Sequence, residues 1–151
     1  MWFRVFGTND VQPDPEAVRP LLQGILGSVR ADFHGDETGW FRAEVFFAPT
    51  TPVYVERFLS SEEGIRAELN AWAAYLETCD YSPKFGQLME HMIQTKQLFT
   101  IRRPFDASNE VLVENICGGL ARSFARTTQG VYQIDAQGFF DADGLLLLQE
   151  Y

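Results

Sequence analysis

The sequence is poor in the residues that most local chemistry requires. Of its 151 residues only two are cysteine and two are histidine. Cys79 and Cys117 lie far apart and neither belongs to a C-x-x-C pair, so metal-thiolate and dithiol redox frameworks find no local spacing to use. They read as reduced, buried thiols of a reducing compartment. His34 and His91 are isolated, and His91 has no partner at the His-Glu-x-x-His spacing of a zinc helix. No phosphate-cradling G-x-x-x-x-G-K-[ST], no G-x-G-x-x-G and no G-x-S-x-G elbow occurs. No apolar run approaches the roughly 20 residues that span a bilayer. The first seven residues lack the charged and long apolar regions of a signal peptide, and a cytoplasmic location follows as the expectation.

Positive charge is also scarce. Twelve basic residues face 21 acidic ones, giving a formal net charge of −9 that repels phosphate backbones and anionic headgroups. Nucleic acid and membrane are therefore poor partners. Two basic pairs, Arg102/Arg103 and Arg122/Arg126, are read as ion-pairing partners of the surplus carboxylates.

What the chain has in quantity is aromatic side chains: 13 Phe, 5 Tyr and 3 Trp make up 14% of it, within a 46% hydrophobic and 22% charged composition. Such a chain meets its conformational entropy cost by core burial, and the rings dominate that core. Its length suits one domain spanning 1–151, with no internal repeat, low-complexity tract or linker.

Local patterns order the elements. Trp2 to Phe6 reads as a first strand. Asp14-Pro15 is an N-cap followed by the first helical residue, and Val18, Leu21, Leu22 and Ile25 share a face of the helix that ends at Gly27, with Pro20 kinking or delaying it. From Val29 the period is two: Val29, Ala31 and Phe33, a loop at Gly35 to Gly39, then Phe41, Ala43, Val45 and Phe47. Prolines 49 and 52 break that hairpin, and Val53 to Phe58 completes a meander. Ser60 and Glu63 have capping-box spacing ahead of the stripe Ile65, Leu69, Trp72, Ala73 and Leu76. Ser82-Pro83 restarts a helix with Phe85, Leu88, Met89 and Met92 inward, and Leu98 to Arg103 is extended. A long helix runs from about Ser108 through Val113, Ile116, Cys117, Leu120 and Phe124 to Gly130. Its Gly118-Gly119 pair calls for close approach to a neighbour. Strands return at Val131 to Asp135 and from Gly138 to Gln149. The fold class is α+β, a mainly antiparallel sheet of N-terminal strand, meander and C-terminal hairpin, packed against three to four helices on one face.

Three constellations carry chemistry worth weighing. Asp141, Asp143, Gly144 and Glu150 match later positions of a calcium loop, but Phe139 stands where the first ligand belongs, and Asp-Ala-Asp-Gly between apolar runs is ordinary hairpin chemistry. The hairpin is the better reading, leaving Asp141, Asp143 and Glu150 as weak calcium candidates, with no metal or cofactor expected. His34 beside Asp36 and Glu37 has the groups of a general base or metal site, and equally those of a solvated turn. A Cys–His nucleophile is disfavoured, because Cys117 falls on an apolar stripe and Cys79 follows a helix carboxy terminus, where thiolate is destabilised.

Trp40, Phe46 and Tyr54 alternate onto the sheet face opposite Phe41, Val45 and Val55, so either both faces are covered, the ordinary reading, or one exposes these rings as binding anchors. On its charge and its missing catalytic motifs, the favoured function is a non-enzymatic, acidic interaction domain of inhibitor or immunity type, engaging a protein partner with basic character. The alternative is an enzyme or small-ligand protein with a pocket of dispersed carboxylates and aromatics.

Overall fold

The computed structural model describes residues 1–27, 30–47, 52–104 and 109–151. In chain order these form β1 (Trp2–Gly7), α1 (Pro15–Leu26), β2 (Arg30–Asp36), β3 (Gly39–Phe46), β4 (Pro52–Leu59), α2 (Ile65–Glu77), α3 (Phe85–Gln94), β5 (Gln97–Arg102), α4 (Glu110–Thr128), β6 (Val131–Ile134), β7 (Gly138–Phe140) and β8 (Leu146–Gln149). The strands make one sheet in the order β2-β3-β4-β5-β1-β6-β7-β8. Every pairing is antiparallel. The architecture is α+β, as the sequence predicts. The predictions at Val29, Pro49 and Ser108 fall outside the described residues.

Successive strand residues point to opposite faces, so the ladder assigns each side chain to a layer. On one face, Phe33, Ala43, Val55, Ile101, Phe3 and Ile134 form a cross-strand row beside Phe99, Val5 and Tyr132. These join Val18 and Leu22 of α1 and Val113, Ile116, Leu120 and Phe124 of α4 in the larger core. Phe99 stacks on Phe124 at 4.8 Å between centroids, and Trp40 lies at 6.0 and 5.9 Å from the two. On the other face, Phe58, Leu98, Phe6 and Val131 form a row. Of these, Phe6, Leu98 and Val131 pack with Leu69 and Leu76 of α2, Leu88 and Met92 of α3, and Phe139 and Leu148 in a second core. Helices thus lie on both faces of the sheet, which corrects the one-face expectation. The long connection from β4 to β5 carries α2 and α3 to the side away from α4.

Local signals were used unevenly. Asp14 caps α1 by accepting the Glu16 N–H, Pro15 is the first helical residue, and Gly27 closes the helix through Gln23. Pro20 sits exposed inside a helix that continues through it, so it neither ends nor starts there. The capping box at Ser60 is not formed: α2 begins after Gly64 in the left-handed conformation, and Glu62, not Glu63, accepts a backbone N–H, that of Leu59. Asn109 caps α4 by accepting the Leu112 N–H. Gly119 does mark a close approach, since a Cβ there would meet Ile25 Cδ1 of α1 at 3.0 Å.

A buried polar knot fixes the β1–α1 loop. Arg57, 4% exposed, donates from Nε to Gln97 and from Nη1 to the Trp40 carbonyl, while Gln97 donates to the carbonyls of Asn9 and Val11. Burial lowers the Arg57 pKa, and the nearby negative charges of Glu62 and Asp10 oppose that shift. The guanidinium stays charged because arginine starts so high.

His91 of α3 donates from Nε2 to the Phe6 carbonyl at 2.8 Å, joining that helix to β1. Burial lowers its pKa below the ordinary 6.5, against the opposing hydrogen bond. The unfolded chain then takes up the proton first, so this contribution to stability is whole above pH 6.5 and declines as pH falls toward the lower folded value. His91→Gln is expected to flatten the urea-unfolding midpoint across that window. Phe124→Ala, which empties the stacked centre of the larger core, is expected to cost about 3–5 kcal/mol in the same measurement.

Candidate functional site

The second core covers only part of its face of the sheet. No residue of β2, β3 or β4 belongs to that core's buried or flanking members. Two cross-strand rows extend beyond it, the second of them reaching back into that core at Phe139. One runs Asp32, Glu44, Tyr54, Arg102, Trp2, and the other His34, Arg42, Glu56, Thr100, Arg4, Gln133, Phe139. Their members on β1 to β5 are half-buried or exposed.

Guanidinium groups and rings alternate across these rows. The Arg102 guanidinium carbon stands 5.1 Å from the Tyr54 ring and 5.5 Å from that of Trp2. Arg4 stands 5.7 Å from Trp2 and 5.2 Å from Trp72 of α2. The line Tyr54–Arg102–Trp2–Arg4–Trp72 therefore joins the open sheet face to the helical layer. Each cation meets the negative face of a ring, worth about 0.5–1 kcal/mol at an exposed site. At the edge strand Arg30 repeats the motif over Phe46 at 4.5 Å.

Carboxylates hold the line in place. Arg4 Nη1 donates to Asp135 at 2.6 Å and to Gln133 at 2.9 Å. Asp135 also accepts the Trp2 N–H. Burial pushes the Asp135 pKa up, but its bonds to Arg4 and the Trp2 N–H outweigh that and leave it below the ordinary 3.8. Gln133 donates onward to Glu150 at 2.8 Å, and Trp72 donates its indole N–H to Glu68 at 3.2 Å. Where the line reaches α2, a cleft of 310 Å³ opens, lined by Glu68, Ala71, Trp72, Tyr75 and Glu150. Burial pushes the Tyr75 phenol well above its usual pKa, and the negative charge of Glu150 adds to the effect.

The structure separates the three aromatic anchors read from the sequence. Phe46 and Tyr54 stand on the open face, but Trp40 is 4% exposed in the larger core and donates its indole N–H to the Pro13 carbonyl. The cause is a bulge. His34 pairs with Arg42 and Gly35 with Trp40, so Phe41 has no partner on β2 and the alternation slips by one. Gly35 is required there, because a Cβ would strike the backbone of Gly39 and Trp40. Trp2, Arg4, Arg102 and Trp72 were not singled out as anchors. Arg102 was read as an ion-pairing residue and Trp72 as a core residue, and the pairing of β1 with β5 is what lines them up.

The other candidates disperse. Asp141 accepts the N–H groups of Asp143 and Leu145 and closes the hairpin, with Gly144 at φ 88°, as the turn reading expects. Asp143 faces Arg126 at 3.8 Å and Glu150 turns to Gln133, so the calcium candidates do not converge, and no group of three metal-binding side chains occurs among the described residues. His34 Nε2 meets Glu44 of the neighbouring strand β3 at 3.1 Å, and not the Asp36 or Glu37 of its own turn. Asp36 takes the N–H and hydroxyl of Thr38. Cys79 and Cys117 are both buried free thiols, and burial pushes Cys117 up to about 12. Arg103, half-buried, pairs with Glu110 and Glu114, the ion-pairing role read from the sequence. No helix among the described residues is long and apolar enough to cross a membrane. Comparison with family models, curated proteins and solved structures returns no match.

The Arg4–Asp135 pair orders the site and has a pH signature. Its stabilisation is complete above the ordinary carboxyl value of 3.8 and is lost as pH falls through the depressed folded value. Asp135→Asn is expected to weaken the protein at pH 7 and to reduce the steepness of its acid unfolding, followed by tryptophan fluorescence.

Proposed function

We propose that the protein is a non-enzymatic interaction domain whose open sheet face binds a protein partner rich in basic side chains. The observation that carries this reading is the half-exposed line Tyr54–Arg102–Trp2–Arg4–Trp72. Tryptophan, tyrosine and arginine are the residues that dominate binding hot spots, because they bury large areas with few rotatable bonds and keep a polar handle. Here their conformations are already fixed by stacking, which reduces the ordering cost of association.

Charge selects the partner. Asp32, Glu44, Glu56, Asp135, Glu68 and Glu150 border the line, against Arg30, Arg42, Arg4 and Arg102, and the whole chain carries −9. A basic partner is drawn in by this field and completes the carboxylates on contact, whereas an acidic one is repelled. Five strands at about 4.8 Å spacing give a face about 20 Å across, wide enough for a protein segment.

The test is affinity capture from host lysate with identification of the captured protein, at physiological and at 1 M salt. A basic protein is expected, held at low salt and released at high salt, where the screening length falls to about 3 Å. Tyr54→Ala and Arg102→Ala are each expected to reduce its retention at least tenfold, while Gln23→Ala on the exposed side of α1 leaves it unchanged. Retention by the face variants, or no salt-sensitive capture at all, overturns the proposal.

A further inference from the structure

The 310 Å³ cleft at the end of the line has its own chemistry. Two of its walls are rings, Trp72 and Tyr75, set edge to face at 5.8 Å and 86°. Two others are the carboxylates of Glu68 and Glu150. Each carboxylate is held by one neutral donor, Glu68 by the Trp72 indole and Glu150 by the Gln133 amide, and in both cases the bond falls on Oε1. A neutral donor orients a carboxylate without cancelling its charge. With Asp135, which pairs with Arg4 next to the cleft, the carboxylates there number three. Arg4 also shows what this ring accepts: its guanidinium already lies 5.2 Å from the Trp72 centroid, while Asp135 and Gln133 hold it from its other side.

We propose that this cleft seats one protonated basic side chain, a lysine ammonium or arginine guanidinium, between the rings of Trp72 and Tyr75 and the carboxylates of Glu68 and Glu150. Attraction to the ring faces rewards any cation. The carboxylates add a requirement for N–H donors, since a charge-assisted hydrogen bond is about twice as strong as a neutral one. A quaternary ammonium, which has no N–H, loses that contribution, and two rings form too incomplete a cage to replace it. The proposal deepens the interaction reading, because a basic side chain of the partner is its natural source, yet it concerns the cleft alone and is tested without any partner.

The probes are Nα-acetyl-lysine methylamide, the arginine counterpart, and the Nε-acetylated and Nε-trimethylated lysine forms. Each is titrated into ¹⁵N-labelled protein at constant ionic strength. The reporter is the Trp72 indole N–H, assigned by its disappearance in Trp72→Phe. The lysine and arginine probes are expected to shift it with dissociation constants in the millimolar range. The uncharged Nε-acetyl form is expected to bind at least tenfold more weakly and the trimethyl form at least threefold more weakly. Glu68→Gln and Glu150→Gln should each weaken lysine binding at least threefold, with an unchanged dispersion of the remaining resonances as the check on folding. Glu77→Gln, on the same helix but outside the cleft, should leave it unaltered.

Equal binding of the acetylated probe overturns the cation site, and so does an effect of Glu77→Gln as large as that of the cleft variants. Tighter binding of the trimethyl probe overturns the assignment to a protonated amine. Absence of any shift at 50 mM overturns the cleft while leaving the open-face reading to its own capture test. Cation binding here together with failed capture upholds the cleft and removes the partner.

Discussion

Strand β1 is the constraint on which the molecule is organised. It lies between β5 and β6 and its side chains must satisfy two different layers in alternation. Phe3 and Val5 enter the core beneath α1 and α4, while Phe6, pointing the other way, enters the core beneath α2 and α3. A six-residue strand thereby ties two hydrophobic clusters that share no side chain. Further fixings converge on it. His91 binds its Phe6 carbonyl, Thr8 donates its N–H to the Thr128 carbonyl at the end of α4, and Gly7 lies so close to Thr128 that a Cβ would meet that side chain at 2.6 Å.

The same alternation produces the candidate site. Having given Phe6 to the second core, β1 must place Arg4 and Trp2 on that face too, at the border of the helical layer, where Arg4 meets Trp72 of α2. An arginine on a half-covered sheet is costly to bury alone, and Arg4 is met by the Asp135 carboxylate as well as by the rings of Trp2 and Trp72. Stacking it between rings gives the cation a favourable quadrupole and gives the rings a cover that retains access to water. The line from Tyr54 to Trp72 can be understood as the way this fold finishes an incompletely covered face. Its end at α2 opens into the cleft, where the rings of Trp72 and Tyr75 stand beside the carboxylates of Glu68 and Glu150. Binding proposed at the face and binding proposed at the cleft thus arise from one structural arrangement, the first by area and the second by charge.

Much of the local organisation was legible in the residues. The apolar stripe of α2, the Asp14-Pro15 start of α1, the meander and the Asp141–Gly144 hairpin depend on neighbours within a few positions, which a sequence displays directly. The errors were of another kind. The Ser60–Glu63 spacing is that of a capping box, but the Ser60 backbone N–H that Glu63 would accept is donated to the Lys96 carbonyl, and the helix starts later, after Gly64. Trp40 has the period of an outward-facing residue, but a bulge at Phe41 turns it inward, where the Pro13 carbonyl receives its indole N–H.

What the sequence by itself determined is the α+β class, the identity of the principal periodic segments, the acidic balance and the abundance of rings, because these follow from composition and from short-range periodicity. Tertiary structure alone decided which face each helix covers and which rings meet which arginines. Trp2, Tyr54, Trp72, Arg4 and Arg102 come from four elements and become neighbours only when β1 pairs with β5, β5 with β4, and α2 packs beside them. Sheet order and register are long-range facts. No local spacing encodes them, and the candidate site consists of nothing else.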